Sequence, residues 1–372
     1  MKKYILYPYE KNAYALVKYW GKNNNSEIAE IYSPKSYGLE GKDGGEVFEY
    51  QKLGYKIKSD YKEGLSRYDG VIIPPVRSKI VLEMICELIR NALLNGKDII
   101  CYCRLDESFQ NELNSILAAS TGKFINRAKK QNENVYKYNI IKEADGKWYI
   151  PEVPVVFVGE VLNEMQAGEI VSELFYDMKT RGYKVLALVD YLYAIEENMY
   201  EFPFFLYSNG LVNDQKVIAL NSYIRRIVEQ CRPNIILVQI PNPIMRQNLF
   251  DRDNFGVLPY IVSQCVNPDY SIICDVLRDI DGQEEYINYF KELNNCFWYR
   301  FGIVVNEILL NNIKIDLNSS YARGYVTSYP VKDDVAKEIA ELLKGKLEIN
   351  IHSSVQYDIR ESSKAIIDKL SN

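Results

Sequence analysis

Residues 154–189 constrain the fold most strongly, because they have the order strand, glycine turn, helix, strand. The apolar run 153–158 is followed by Gly159, by a helical pattern over residues 168–179, and by a second apolar run, VLALV. A P-loop unit has this order, with a glycine-rich loop that joins a buried strand to a helix. The segment therefore predicts an α/β domain with a parallel, P-loop-like sheet.

The residues that give a P-loop its chemistry are missing from this segment. In Gly-x4-Gly-Lys-Ser/Thr, backbone amides and the lysine hold the phosphates, and the hydroxyl binds magnesium. Counted from Gly159, the second glycine is replaced by Glu164, and residues 153–178 contain no lysine or arginine. Glu160, Glu164 and Glu169 place carboxylates where the positive helix end would otherwise attract phosphate. We expect the architecture of a P-loop without ATPase activity.

The bulk properties exclude several classes of protein. A chain of 372 residues suggests two domains, and its net charge of −5 argues against a nucleic-acid-binding surface. No segment approaches the roughly 18–20 uninterrupted apolar residues of a membrane helix. The seven cysteines are irregularly spaced, which is typical of reduced thiols, so the sequence predicts a cytoplasmic protein.

The first third of the chain alternates strand and helix patterns, which predicts a Rossmann-like parallel sheet over residues 1–105. Strands are expected at 4–9, 27–32, 69–75 and 98–103, with helices at 13–20 and 79–94. The turn at residues 7–12 contains no glycine, so a dinucleotide could not approach its backbone closely. No cofactor is therefore predicted for this domain.

The remainder is predicted to be a connecting segment, 106–150, and a second domain, 151–372. The connection holds a helix at 107–119 and two weak strands at 124–128 and 136–141. Further strands of the second domain are expected at 184–190, 234–240 and 271–276. Residues 297–310 are apolar and ambiguous, and a helix at 331–343, a strand at 347–351 and a terminal helix end the chain.

A polar, glycine-rich loop at residues 33–46 is the first candidate binding site. It leaves the predicted carboxyl end of a parallel strand, the side on which open α/β sheets bind ligands. Gly41, Lys42 and Asp43 combine flexible backbone with one cation and one anion, which suits a zwitterion or a peptide backbone. A mobile surface loop without a ligand explains the same composition.

The second candidate surface follows the strands of the P-loop-like domain. It comprises Gly159, Glu160 and Asn163 in the first loop, Asp190 at the end of the second strand, and Asn242 and Phe255 after the third. Asp190 stands where some P-loop enzymes hold magnesium, but a polar strand end that caps a turn is the simpler interpretation. The third strand ends in Gln239, where a hydrolase would offer an acid, so no metal site and no catalytic residue are predicted.

Histidine chemistry is confined to a single residue. His352 is the only histidine of the chain, so any Ser-His-Asp or Cys-His mechanism would have to use it. Its position at the end of a predicted strand indicates an ordinary strand-end histidine.

Four stretches resemble the clostridial peptide-maturation-system protein family: residues 33–45, the loop after VVFVGE, residues 240–245, and NFGVLPYIVSQCVNPD at 254–269. These proteins are encoded beside radical-SAM enzymes and small ribosomally made, bacteriocin-like precursors. The resemblance implies an accessory role in maturing such a peptide, with the precursor peptide or the radical-SAM maturase as partner. The acids after Gly159, and Pro-Asn where relatives tend to have glycines after the third strand, depart from the family pattern.

A weaker similarity, of layout only, is to enzymes that join a Rossmann-like domain to a P-loop domain and modify D-glutamate or related amino acids. It keeps an alternative open, namely a nucleotide- or acyl-CoA-dependent transferase that uses the loop after Gly159. The sequence does not decide whether the chain forms a homo-oligomer.

Overall fold

The computed structural model describes residues 1–23, 26–48, 50–128, 148–162, 166–246, 255–278, 282–316, 327–331, 335–354 and 357–370. The chain forms two compact units. The first comprises Met1–Lys130 and Tyr191–Glu197, and the second comprises Gln131–Asp190 and Asn198–Asn372. A short segment from the predicted second domain therefore belongs to the first unit.

The first unit alternates strands and helices along the chain. Its elements are β1 (Lys2–Leu6), α1 (Tyr14–Asn23), β2 (Ser26–Tyr32), β3 (Ile57–Lys58), α2 (Tyr61–Arg67), β4 (Gly70–Ile73), α3 (Lys79–Leu94), β5 (Asp98–Cys101), α4 (Glu107–Ala119) and β6 (Phe124–Asn126).

The strands of the first unit pair in the order β3-β2-β1-β4-β5-β6, and every pair is parallel. This is the strand order of Rossmann-type sheets. The predicted Rossmann-like fold is confirmed. Because β6 pairs with β5, the predicted connecting segment contributes a strand to this sheet. Helix α4, which precedes β6, belongs to the same unit.

The second unit is larger and is also α/β. Its elements are β7 (Val155–Glu160), α5 (Ala167–Thr180), β8 (Val185–Val189), β9 (Met199–Glu201), α6 (Asn213–Cys231), β10 (Ile235–Gln239), α7 (Val257–Cys265), β11 (Tyr270–Arg278), α8 (Gln283–Phe301), β12 (Glu307–Asp316), β13 (Thr327–Pro330), α9 (Val335–Leu343), β14 (Asn350–Ser353) and α10 (Ile359–Leu370).

The second sheet has the order β13-β12-β11-β7-β10-β8-β9, with β14 paired to β12. Strand β13 runs antiparallel to β12. Strand β7 lies between β10 and β11 and is parallel to both. The residues of β8 and β11 are all buried, as in parallel sheets covered on both faces. The predicted P-loop-like parallel sheet is confirmed.

Local signals fix the ends of the longest helices of the first unit. The Ser78 hydroxyl accepts the N–H of Val81 at the start of α3, and Gly96 follows the helix with φ of 70°. The Asp106 carboxylate caps α4 by accepting the N–H of Phe109 at 2.7 Å. Both helices have the bounds that their apolar periodicity predicts.

Several predicted elements have other bounds in the structure or lie outside it. The strand predicted at 4–9 is β1, at Lys2–Leu6, and the strand predicted at 347–351 is β14, at Asn350–Ser353. Strand β7 continues through Gly159 and Glu160, two residues further than the apolar run indicates. The ambiguous region 297–310 contains the end of α8 and the start of β12, separated at Gly302, whose φ is 67°. The weak strand predicted at 136–141 lies outside the described residues.

Candidate functional site

Gly159 lies inside β7, where its missing side chain makes room for its neighbours. It pairs with Ile273 of β11, and a Cβ at this position would lie 2.9 Å from Ile244 Cδ1 and 3.1 Å from Ile240 Cδ1. Glycine is thus required for close packing of isoleucines, which leaves no space for a phosphate against this backbone.

The chain after Gly159 turns into a helix that is buried at its beginning. The N–H of Val161 donates to the Cys274 carbonyl at 2.9 Å, and Gln166 enters α5 with φ of 121°. Glu169 lies in the first turn of α5 and is buried, with 3% of its surface exposed. Within the described part of the chain, its Oε1 has no hydrogen-bond partner. A buried glutamate therefore belongs to the first turn of α5, the part of a P-loop helix that presents its N–H groups to phosphate.

The segment after β10 closes over the end of β7. The N–H of Ile244 donates to the carbonyl of Glu160 at 3.0 Å, and the N–H of Gly256 donates to the carbonyl of Pro243 at 3.0 Å. Asn242 lies exposed at the tip of this turn with φ of 63°, and Phe255 is half-buried. The structure thus brings Glu160, Asn242 and Phe255 to one edge of the sheet. The predicted residue Asn163 lies outside the described residues.

Asp190 is tied to the neighbouring strand through its backbone. Its N–H donates to Oε1 of Gln239 at 2.9 Å, which joins the ends of β8 and β10. Gln239 occupies the place where a hydrolase would carry an acid, and here its amide side chain connects two strand ends. Asp190 itself is half-buried at this edge.

The loop with Gly41, Lys42 and Asp43 is organised around one carboxylate. Asp43 accepts N–H groups from Gly45 at 2.8 Å, Leu53 at 3.0 Å and Gly54 at 2.8 Å. Burial works to raise the pKa of Asp43, but these backbone donors outweigh it and hold the pKa below its usual value. Asp43 therefore holds the loop together, rather than presenting its charge to a ligand.

The same loop presents backbone and lysines at its surface. A Cβ on Gly45 would lie 1.9 Å from the Gln51 carbonyl, so the chain is closely packed here. A concavity of about 390 Å³ adjoins Gly41 and Lys42, with Lys52 and Lys56 also lining it.

The carboxyl edge of the first sheet is covered by Tyr191–Glu197. The Asn12 side-chain amide, in the 3₁₀ turn Lys11–Ala13 between β1 and α1, donates to the carbonyl of Pro75 at 2.9 Å and to that of Leu192 at 3.4 Å. The N–H of Arg104, after β5, donates to the hydroxyl oxygen of Tyr191 at 3.0 Å. Tyr191 and Leu192 thus bond to residues that follow β5 and β1, at the edge where Rossmann-type sheets bind dinucleotides.

Sequence reasoning missed a buried ion pair at the end of β11. Arg278 lies 2.9 Å from Asp275 Oδ1, and the Tyr289 hydroxyl donates to Asp275 Oδ2 at 2.6 Å. Burial opposes the charge of Arg278, but Asp275 and Tyr289 keep its pKa above the usual value. The sequence offers one signal for this pair, namely that Asp275 precedes Arg278 by three residues at the end of a strand. Nothing in the sequence places Tyr289 beside them.

A second polar cluster surrounds Glu307 at the start of β12. Its carboxylate accepts the hydroxyls of Tyr270, Tyr357 and Ser362, with the Tyr270 bond at 3.2 Å. His352 lies on β14, with Nε2 3.7 Å from Glu307 Oε1. Glu307 is 1% exposed, so the cluster joins β12 to the C-terminal segment inside the protein.

The described residues offer neither a cluster of metal ligands nor a membrane-spanning helix. Among the described residues, no group of three or more histidine, cysteine, aspartate or glutamate side chains could hold a metal ion. None of the described helices is long and apolar enough to cross a membrane.

The strand orders define a two-unit α/β protein, with a Rossmann-like sheet in the first unit and a P-loop-like sheet in the second. A DUF1611 family protein from Anabaena variabilis has a similar crystal structure, with a TM-score of 0.55, 11% identity, and coverage of 100% of this chain and 99% of that one. Chloroplast FtsY from Physcomitrella patens matches with a TM-score of 0.33 and 16% identity, over 79% of this chain and 89% of that one. No family model matches the sequence, and no curated protein matches it.

Proposed function

We propose that this chain is a cytoplasmic accessory protein in the maturation of a ribosomally synthesised, post-translationally modified peptide. It binds the precursor peptide or the radical-SAM enzyme that modifies it, and it does not hydrolyse ATP. The observation that carries this proposal is the packing at the end of β7 and at the start of α5, where Gly159 lies against isoleucines and Glu169 is buried.

Both features oppose binding of a nucleotide phosphate. A phosphate needs backbone N–H groups or cations within hydrogen-bond distance, together with space for its oxygens. Isoleucine methyl groups occupy the space beside Gly159, and the carboxylate of Glu169 would repel an anion. The order of strand, glycine and helix in the sequence is that of a nucleotide-binding unit, whereas the lysine and hydroxyl that bind phosphate and magnesium are replaced.

The two candidate surfaces suit a peptide better than a nucleotide. Gly41 and Lys42 offer exposed backbone and a cation beside a concavity, and Asn242 presents an exposed amide at a turn next to Phe255. Peptides are recognised through main-chain hydrogen bonds combined with contacts to side chains, which such surfaces supply.

Calorimetric titration of the protein with a precursor peptide encoded beside it tests the proposal. We expect saturable binding that weakens in Asn242→Arg, with Asn295→Arg, altered at an exposed position of α8, as the control. A precursor and a purified maturase that both fail to bind would overturn the proposal. Saturable binding of acetyl-CoA or ATP would favour the transferase alternative instead.

A further inference from the structure

The concavity beside Gly41 and Lys42 is lined by more positive than negative side chains. Its volume of about 390 Å³ lies within the range of about 300–1,000 Å³ that is usual for ligand sites. Three lysines and two acids line it, namely Lys42, Lys52, Lys56, Asp43 and Glu46. With all five groups ionised, the lining keeps an excess of one positive charge.

Both acids of this lining are engaged by the protein. Asp43 is buried and accepts N–H groups from Gly45 and Gly54 at 2.8 Å and from Leu53 at 3.0 Å. Glu46 is exposed, and its Oε1 lies 3.6 Å from Nζ of Lys52. Lys52 and Glu46 therefore offset each other, and the remaining charges are two lysines and one enclosed carboxylate.

The two remaining lysines are Lys42 and Lys56, and both of their side chains are exposed. In the part of the chain that the structure describes, neither ammonium group forms an ion pair. Their backbones lie side by side, because the N–H of Ile57 donates to the Lys42 carbonyl at 2.9 Å and Asp43 pairs with Lys56 in an antiparallel bridge. Two unpaired ammonium groups on neighbouring segments thus line one concavity.

The backbone that carries these lysines is fixed by its own contacts. The carboxylate of Asp43 joins Gly45 to Leu53 and Gly54, and the N–H of Gly44 donates to the carbonyl of Tyr55 at 2.9 Å. A site whose backbone is ordered in advance loses less conformational entropy when a ligand binds.

The charge of the two units favours an anionic ligand for the same unit. The first unit contains more lysine and arginine than aspartate and glutamate, whereas acids exceed bases in the second unit and give the chain its net charge of −5. The field of the first unit therefore attracts an acidic ligand, and the field of the second opposes one.

We propose that this concavity binds an acidic segment of a peptide, in which two neighbouring side chains carry carboxylates. One carboxylate pairs with Lys42 and the other with Lys56. The inference rests on the proposed function for the source of the peptide, and it names the part of that peptide which the first unit recognises.

Fluorescence anisotropy of a BODIPY-labelled, amidated hexapeptide, Gly-Ser-Asp-Glu-Ser-Gly, tests this inference with the full chain at low ionic strength. Because exposed ion pairs each contribute little, we expect the affinity to fall about threefold in Lys42→Met or Lys56→Met and about tenfold when both are changed. The peptide Gly-Ser-Asn-Gln-Ser-Gly should bind about tenfold more weakly than the acidic one.

The matched control is the double variant Lys291→Met with Lys346→Met, which removes the same charge from exposed lysines of the second unit. It should leave the affinity for the acidic hexapeptide unchanged. An equal loss of affinity in the two double variants would show that only the net charge of the protein matters, and would overturn the inference.

Acetylation by the N-hydroxysuccinimide ester of acetic acid, measured for each lysine by mass spectrometry, locates the bound peptide. The saturating hexapeptide should slow the acetylation of Lys42 and Lys56 several-fold and leave that of Lys291 unchanged. Unaltered acetylation of Lys42 and Lys56 would overturn the inference. Protection of both lysines by inorganic phosphate, at a concentration at which the hexapeptide gives none, would identify a phosphate site and overturn it as well.

The outcomes separate this inference from the proposed function. A precursor peptide that binds equally well when Lys42 and Lys56 are both replaced by methionine overturns the inference and leaves the proposed function standing. Hexapeptide binding at the concavity, with neither a precursor nor a maturase bound, overturns the proposed function and supports the acidic-peptide site.

Discussion

At the scale of single residues, several positions that the sequence singles out have packing roles. Gly159 makes room for Ile240 and Ile244, Gln239 joins two strand ends, and Asp43 holds its own loop together. The neighbours that explain Gly159 and Gln239 are distant in sequence, which is why a motif search assigns such residues to a ligand.

Gly159→Ala should destabilise the protein without any change in ligand binding. The added Cβ would lie 2.9 Å from Ile244 Cδ1, and overpacking of this kind costs about 1–3 kcal/mol. Urea unfolding measures the loss. The control is Gly210→Ala, whose Cβ would meet nothing nearer than Ser208 Oγ at 3.7 Å. Equal stabilities of the two variants would contradict the packing role of Gly159.

Asp43→Asn should lower the free energy of unfolding at pH 7 by about 1–3 kcal/mol, because the amide cannot accept all of the loop's N–H groups. The folded-state pKa of Asp43 is depressed, so its stabilising contribution is present above about pH 4 and is lost as the pH falls through the folded value.

Urea unfolding at pH 7 and near pH 3 measures this dependence. The difference between wild type and Asp43→Asn should shrink at the lower pH, and Glu40→Gln, altered at an exposed acid of the same loop, should show no difference. A gap that widens on acidification would contradict the role given to Asp43.

At the scale of elements, the long and strongly periodic segments could be predicted from the sequence. The bounds of α3 and α4 match their predicted ranges, and β8 coincides with VLALV. The short strands β3 and β9 were not predicted, because two or three residues carry too little pattern and their pairing depends on neighbouring strands. The role of Glu307 as the centre of a polar cluster could not be predicted, because its partners come from β11 and from the C-terminal segment.

Glu307→Ala should loosen the C-terminal segment more than the rest of the protein. The substitution leaves the hydroxyls of Tyr270, Tyr357 and Ser362 without their acceptor, and an unsatisfied buried group costs about 1–3 kcal/mol. Hydrogen exchange should therefore accelerate in α10, while Glu348→Ala, at an exposed acid, should leave it unchanged. Unaltered protection of α10 would show that Glu307 does not anchor this segment.

At the scale of the whole molecule, one sheet has a Rossmann-like strand order and the other a P-loop-like one, and protein segments lie at the carboxyl edge of each. In the first unit, Tyr191–Glu197 lies at this edge and bonds to Asn12 and Arg104. In the second, residues that follow β10 bond to the end of β7, and Glu169 is buried in the first turn of α5. The topology follows from apolar patterning and could be predicted. The filling of the edges depends on contacts between remote segments and required the structure.

We expect that the loop after Gly159 does not bind nucleotide phosphate. Isothermal titration with Mg²⁺-ATP, together with an assay of phosphate release, tests this expectation most directly on the full chain. Neither saturable heat nor phosphate release above a buffer blank should be observed. Saturable micromolar binding of ATP, or turnover that disappears in a Gly159 variant which remains folded, would contradict it.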